Sequence, residues 1–253
     1  MYEEELRFAN ELADAAGEIG VHYFRGEFDV EMKEDMTPVT QADREIEAKL
    51  REMLAARFPD DAVLGEEGGH QGSGSRLWVI DPVDGTKNFA TGIQIWATLI
   101  ALLVDDEPVL GLAWAPELRE RYEAARGAGA RLSGETIRVS KKASLKEALI
   151  CSSGSQDWIT GDLAEPYATI SEEAARTRGF GDFWGHTLVA RGSAEAMLEP
   201  ALRIWDWAAL KVIVEEAGGR MTALDGGPLV DHGSVLSSNA VLHDELVGRF
   251  TRR

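Results

Sequence analysis

An apolar strand that ends in two acids three residues apart, with a proline between them and a glycine directly after, constrains this chain most. The run is Trp78-Val79-Ile80-Asp81-Pro82-Val83-Asp84-Gly85-Thr86-Lys87-Asn88-Phe89. A strand over Leu77–Ile80 delivers Asp81 at its carboxyl end, Pro82 fixes the exit direction, and Asp84 or Gly85 opens a short helix. Two hard oxygen ligands then stand beside backbone N–H groups that suit an anion, as metal-assisted phosphate chemistry requires. The same residues also serve as an Asx turn before a capped helix, so the run alone does not decide between the two uses.

Other acids decide it. Gly65-Glu66-Glu67-Gly68 follows the short apolar run Ala62–Leu64 and places a carboxylate at a second strand end. Trp205-Asp206-Trp207-Ala208-Ala209 starts an apolar helix with an acid in its first turn, and Thr37-Pro38-Val39-Thr40-Gln41-Ala42-Asp43 adds a hydroxyl and an acid. In order and spacing, from about Lys33 to Gly219, these segments resemble the Mg-dependent inositol monophosphatase superfamily. One departure is Lys87, where inositol-type members more often carry a second Thr.

The resemblance implies an α/β (α+β) fold, a layered α/β/α/β/α sandwich of the inositol monophosphatase and fructose-bisphosphatase type. It implies that Glu66, Asp81, Asp84 and Asp206, with the Val83 carbonyl, hold Mg²⁺, on the order of two or three ions per site, with Mn²⁺ as a substitute. Asp43, Glu66 and Thr86 become the catalytic residues: Thr86 paired with Asp43 positions a water, and Glu66 orients it through its metal. Asp43 also reads as a helix N-terminal acid set against the macrodipole. Lys33 sits where the family often has a basic residue. Lithium inhibition and a homodimer follow from the same likeness.

Substrate choice falls to the later half. The resemblance implies that Asp84, Gly85, Thr86 and Asp206 also bind substrate, and Arg178-Gly179-Phe180-Gly181-Asp182-Phe183 precedes a helix. Inositol-type members usually carry Ser or Thr and then Ala at this turn, where Asp182 and Phe183 stand here. Glu199, seven residues before Asp206, matches a family position against the alcohol. A second acid near Glu199 favours a cationic leaving alcohol, and an aromatic neighbour suits a planar ring. Gly181, Asp182, Phe183, Glu199 and, more loosely, Arg178 are therefore expected to bind substrate, although Asp182 also reads as a plain helix N-cap. This pattern, with Lys87-Asn88-Phe89 and Trp96–Leu102, resembles the histidinol-phosphate phosphatase branch and implies L-histidinol phosphate as substrate, in histidine biosynthesis. The alternatives are an inositol-1-phosphate or broad sugar-phosphate phosphatase, and a catalytically inactive metal-binding regulatory dimer. The last predicts erosion of an acid in the constellation, and none is eroded.

Composition bounds the partners. The 253 residues carry a formal charge of −18, which disfavours nucleic acid and anionic membrane surfaces, while the resemblance implies a small phosphate monoester as partner. With one cysteine, Cys151, no intrachain disulfide or thiolate cluster is possible. The start, Met1-Tyr2-Glu3-Glu4-Glu5, has no signal-peptide pattern, and a cytoplasmic protein is expected.

Helical periodicity covers Leu6–Ile19 and Ile46–Leu54, with Phe28–Pro38 irregular or extended and Gly68–Ser75 a loop. Ala97–Val104 and Val109–Trp114 form a hairpin turning at Asp105–Pro108, and Arg121–Ala125 pairs with Ala130–Leu132. Strands near Leu149, Arg178, Ala196, Met221 and Val235 alternate with helices over Leu163–Ala175, Phe183–Ala190 and Asp206–Ala217. Two domains are expected, 1–136 with most metal ligands and 137–253 with the specificity residues.

Overall fold

The computed structural model describes residues 2–26, 30–32 and 38–251. Lys33 and Thr37 lie outside them. Helix α1 (Glu3–Phe24) is followed by a small antiparallel pair, β1 (Val30–Met32) and β2 (Pro38–Thr40), and by α2 (Gln41–Arg57). Next come β3 (Ala62–Gly65), β4 (Gly69–Gln71), β5 (Arg76–Asp84) and the short α3 (Thr86–Ala90). Strands β6 (Ala97–Val104), β7 (Glu107–Ala115), β8 (Glu120–Ala125), β9 (Gly129–Leu132) and β10 (Glu135–Thr136) complete an eight-stranded sheet of order β10-β9-β8-β7-β6-β5-β3-β4. Only β3 and β5 run parallel in it.

The second half begins with β11 (Leu149–Ser152), α4 (Ala164–Glu173), β12 (Arg176–Arg178), α5 (Asp182–Ala190) and β13 (Ala196–Leu202). It ends with α6 (Ile204–Glu216), β14 (Arg220–Thr222), β15 (Gly233–Ser238) and α7 (His243–Thr251). Its five strands form a second sheet of order β12-β11-β13-β15-β14.

Alternation along the central strands explains the layering. Trp78 and Ile80 of β5, with Ile100 and Leu102 of β6, pack against Leu12 and Ala16 of α1 and Ile46 and Leu50 of α2. Val79, Leu99, Ala101 and Leu103 point the other way, to Trp207, Leu210 and Ile213 of α6. A strand covered on both faces reads as an unbroken apolar run, which is what Leu99–Leu103 is. Helix α6 is apolar nearly all round because it lies between the two sheets, also touching Met221 and Val235. On the far side, Ile150, Leu198 and Leu236 pack against Ile170 of α4 and Leu246 of α7. The five layers run α1–α2, large sheet, α5–α6, small sheet, α4–α7, the sandwich expected.

Helix α6 approaches the large sheet to backbone contact at Gly111, where an added Cβ would lie 2.1 Å from the Ala209 carbonyl oxygen. The obstacle is main chain, so Gly111→Ala must displace the helix. Overpacking of this kind costs about 1–3 kcal/mol or more, and a lowered urea midpoint is the expected readout.

Three local expectations are corrected. Gly69–Gln71 is not loop but an edge strand paired to β3. The hairpin turn is only Asp105-Asp106, both at positive φ (52° and 64°), a two-residue geometry that Asp tolerates. Glu107 and Pro108 belong to β7, where Pro108 sits at a register shift and withholds no ladder donor. Helix α7 was not expected at all.

Candidate active site

The spacing of the two strand acids presents a geometric problem. Residues i and i+3 of a regular strand project to opposite faces, which would part Asp81 from Asp84. The β5–β6 register solves it: Asp81 faces Leu99 and Asp84 faces Ala97, so the β5 segment holds one residue more than its partner. Pro82, with no N–H to place in a ladder, occupies this bulge, and Thr98 Oγ1 donates to its carbonyl at 2.8 Å. Val83 keeps to the α1–α2 side of the sheet, and Asp81 and Asp84 share the α6 side.

Asp206 comes to meet them from the first turn of α6, where its Oδ2 accepts the Arg203 N–H at 2.7 Å. One carboxylate oxygen each of Asp81, Asp84 and Asp206 lies within 4.8 Å of the others. Glu66, outside that group of three, borders one cavity with them from the end of β3, its N–H donating to Ile80 O at 3.3 Å across the parallel β3–β5 pair. Asp84 Oδ2 also accepts the Phe183 N–H at 2.7 Å, tying the large sheet to the start of α5. Gly85, at φ 84°, turns the chain into α3, and a Cβ there would meet Ile95 O at 3.0 Å.

These acids line a cavity of about 790 Å³ together with Val83, Gly85, Thr86, Lys87, Asn88, Phe180, Gly181 and Asp182. Burial raises Asp81, Asp84 and Asp206, and acidic neighbours add to each rise. Asp81 is held well above the carboxylate range by burial, then by Glu66, Asp84 and Asp206; Asp84 likewise by burial, Asp182 and Asp206. Burial lifts Asp206 to about 7 against the Arg203 N–H, with Glu66 and Asp182 adding to the rise. Like charges packed this closely call for a cation or for protons. The donors are carboxylate oxygens and the Val83 carbonyl, with no histidine or cysteine lining the cavity, so the residues fit a hard divalent ion.

The other expected residues divide. Gly181 and Asp182 line the cavity; Asp182 adopts φ 52°, burial raises it to about 6, and Asn88 Nδ2 donates to its Oδ2 at 3.2 Å. Glu199, on β13, does not line the cavity; it is 3% exposed and close enough for its charge to raise Asp84 further. Thr86 and Asp43 do not form the direct couple expected. The Thr86 hydroxyl donates to Val83 O at 2.9 Å. Asp43, as the third residue of α2, closes a capping box, its Oδ2 accepting from Thr40 N at 2.8 Å and Thr40 Oγ1 at 2.5 Å. Its buried Oδ1 has no hydrogen-bond partner.

Two expectations about substrate contacts need correction. The Phe183 ring is wholly buried in the core against α6, so the residue serves the site through its N–H and not through its face. Arg178 is exposed at the end of edge strand β12, donates to Thr177 O at 2.7 Å, and does not line the cavity. The aromatic ring that does line it is Phe180, tilted against Trp184 at 4.6 Å. Asn88 was also missed in its role, since nothing in the sequence pairs it with a residue 94 positions away.

Over residues 1–252 the chain matches the inositol monophosphatase family. The protein belongs to that family. Histidinol-phosphatase of Streptomyces coelicolor is 42% identical to it over 262 residues, covering 100% of this chain and 98% of that protein. The Mycobacterium tuberculosis histidinol-phosphatase is 41% identical, with 98% of each chain covered. Among solved structures, the inositol monophosphatase from Zymomonas mobilis superposes with a TM-score of 0.88 at 32% identity, covering 100% of this chain and 99% of that one. This family member is a metal-dependent phosphoric monoester hydrolase, and the acid cluster is where its metal fits.

Proposed function

We propose that this phosphatase hydrolyses L-histidinol phosphate to L-histidinol and phosphate, with Mg²⁺ held by Glu66, Asp81, Val83 O, Asp84 and Asp206. The observation that carries the substrate is Asp182, an acid outside the metal cluster that lines the same cavity, beside the Phe180 ring. The names of the full-length relatives above support the same reading. Bound by those oxygens, Mg²⁺ would supply the positive charge that a phosphate ester and a departing alkoxide need and would acidify water at neutral pH.

The chain's own groups do the rest. Because the Thr86 proton is committed to Val83 O, the hydroxyl presents only its lone pairs to the cavity, so it orients a water by accepting a hydrogen bond from it. Gly85 and Thr86 border the phosphate end, and Asp182, fixed by Asn88, faces the cationic end of the alcohol. Lys87 lowers the Asp182 pKa and so favours its charged form. Glu199, buried near Asp84, deepens the negative potential that an ammonium and an imidazolium would enter. The proposal includes a cytoplasmic location and a homodimer, the first resting on composition and the second on the family likeness. No helix among the described residues is long and apolar enough to cross a membrane.

A comparison of histidinol phosphate with inositol 1-phosphate tests the assignment, and a preference for the inositol ester would refute it. Asp182→Asn, which tolerates the same positive φ, is expected to lower kcat/KM for histidinol phosphate by about 10–100-fold, the value of a hydrogen bond to a charged group. Activity on inositol 1-phosphate should change much less.

A further inference from the structure

Glu66 is tied to β5 through its N–H on Ile80 O, but the chain leaves the strand at this point. The residue stands one position beyond β3, in a tight turn between β3 and β4, yet its carboxylate must meet three acids from other elements. What fixes that turn is a buried carboxylate behind it. Glu47 of α2 is 2% exposed, and its Oε2 accepts the Glu67 N–H at 2.8 Å while its Oε1 accepts the Gly68 N–H, also at 2.8 Å. Arg51, one turn on, donates from Nε to Glu47 Oε1 at 2.7 Å and from Nη2 to the Gly69 carbonyl. Three successive backbone positions after Glu66 are thus held by one ion pair.

The glycines flanking the acids of this turn admit the carboxylate. A Cβ at Gly65 would lie 2.4 Å from Glu47 Cδ and Oε1, and one at Gly68 would lie 2.6 Å from Oε1. Gly65 has no left-handed backbone to explain it, so the close approach of Glu47 does. Asp43, Glu47 and Arg51 recur at four-residue spacing along α2, so the row that supports the turn also carries Asp43.

We propose that Glu47, braced by Arg51, is a positioning residue that sets the Glu66 turn for metal binding. Glu47 does not line the cavity, and it acts through the two N–H groups that follow Glu66. The inference rests on Glu66 being a metal ligand.

The test compares the parent chain with Glu47→Gln, Glu47→Asp, Gly65→Ala, Glu66→Gln and the Glu47→Gln/Glu66→Gln double variant. Mg²⁺ binding to the metal-free protein is read by titration calorimetry, and the Mg²⁺ concentration for half-maximal phosphate release is read alongside. Glu47→Gln should weaken both by about 10–100-fold, the range for partners that orient metal ligands, with kcat at saturating Mg²⁺ within a few-fold of the parent. Gly65→Ala, which displaces the carboxylate from the other side, should do the same and serves if Glu47→Gln does not fold. Glu47→Asp, which keeps the charge, should fall between. The double variant should bind Mg²⁺ no worse than Glu66→Gln alone, because the clamp acts only through Glu66. Parent-like Mg²⁺ affinity in Glu47→Gln, even with a lowered Tm, would overturn the proposal, as would effects of the two substitutions that multiply. A Glu66→Gln variant with undiminished Mg²⁺ binding would instead remove the ligand assignment beneath it.

Discussion

Asp84→Asn is expected to lower kcat/KM for phosphate-ester hydrolysis by about 10³-fold or more, roughly 4 kcal/mol of transition-state stabilisation, and to raise the Tm of the metal-free protein at neutral pH. The two effects have one cause. Asp84 shares a 4.8 Å cluster with Asp81 and Asp206, and its charge contributes to the raised pKa of Asp81. Removing it takes one anion from the set that would hold the metal and relieves repulsion where no metal is bound. Asn matches Asp in size, and its carbonyl oxygen can still accept the Phe183 N–H, so the link from β5 to α5 survives. The loss is therefore one of charge and not of folding. Kinetics at saturating Mg²⁺ and thermal melts in a chelator separate the two readouts. Phosphate release at the parental rate would sink the assignment of Asp84, and a lowered Tm in the chelator would show that the carboxylate is there for structure.

The acids of this cluster were legible from sequence because each sits where a regular element ends, at Gly65-Glu66, Asp81–Asp84 and Trp205-Asp206. Periodicity finds such ends well, and the paired apolar runs of β6 and β7 likewise announced themselves. What periodicity cannot find is a contact made by one residue's main chain. Phe183 read as an aromatic ligand surface because only its side chain has a letter, whereas the structure uses its N–H on Asp84 and buries the ring. Thr86 and Asp43 read as a couple, but the Thr86 hydroxyl has a nearer acceptor in Val83 O and Asp43 Oδ2 a nearer donor in Thr40, which leaves Asp43 Oδ1 without a partner among the described residues. The bulge at Pro82 was hidden for a related reason: a proline after a strand acid reads as an exit, and only the register with β6 shows the strand continuing through it. Glu47 drew no notice because an acid in an amphipathic helix is ordinarily a solvated one, and its burial depends on two glycines outside that helix.

The metal-free protein is expected to lose stability as pH rises from about 7.5 to about 8.5, and Mg²⁺ is expected to restore it most at the upper end. An Asp in the unfolded chain titrates near 3.8, whereas folding raises Asp206 to about 7, and Asp81 and Asp84 well above their ordinary value, chiefly by burial and then by one another. A raised acid means that the folded state binds more protons than the unfolded one between the two pKa values, so unfolding free energy falls with pH across that interval. For Asp206, a rise from 3.8 to about 7 corresponds to roughly 4 kcal/mol once the group is fully ionised. Two histidines act in the opposite sense: burial lowers His186 to about 3 and His243 to about 4, so their contribution grows as pH rises towards 6.5. The unfolded histidines are half protonated at pH 6.5 and neutral by about pH 7.5, and above that, in the window where the loss is expected, the remaining slope belongs to the carboxylates. Mg²⁺ binds only the deprotonated set, so its gain in Tm at a fixed concentration should increase from about pH 7.5 to about 8.5. The Asp84→Asn variant should flatten both trends. A chelator-treated parent whose Tm rises over this window, or an Mg²⁺ gain that does not depend on pH, would mean that these acids are not ionising together around a shared cation.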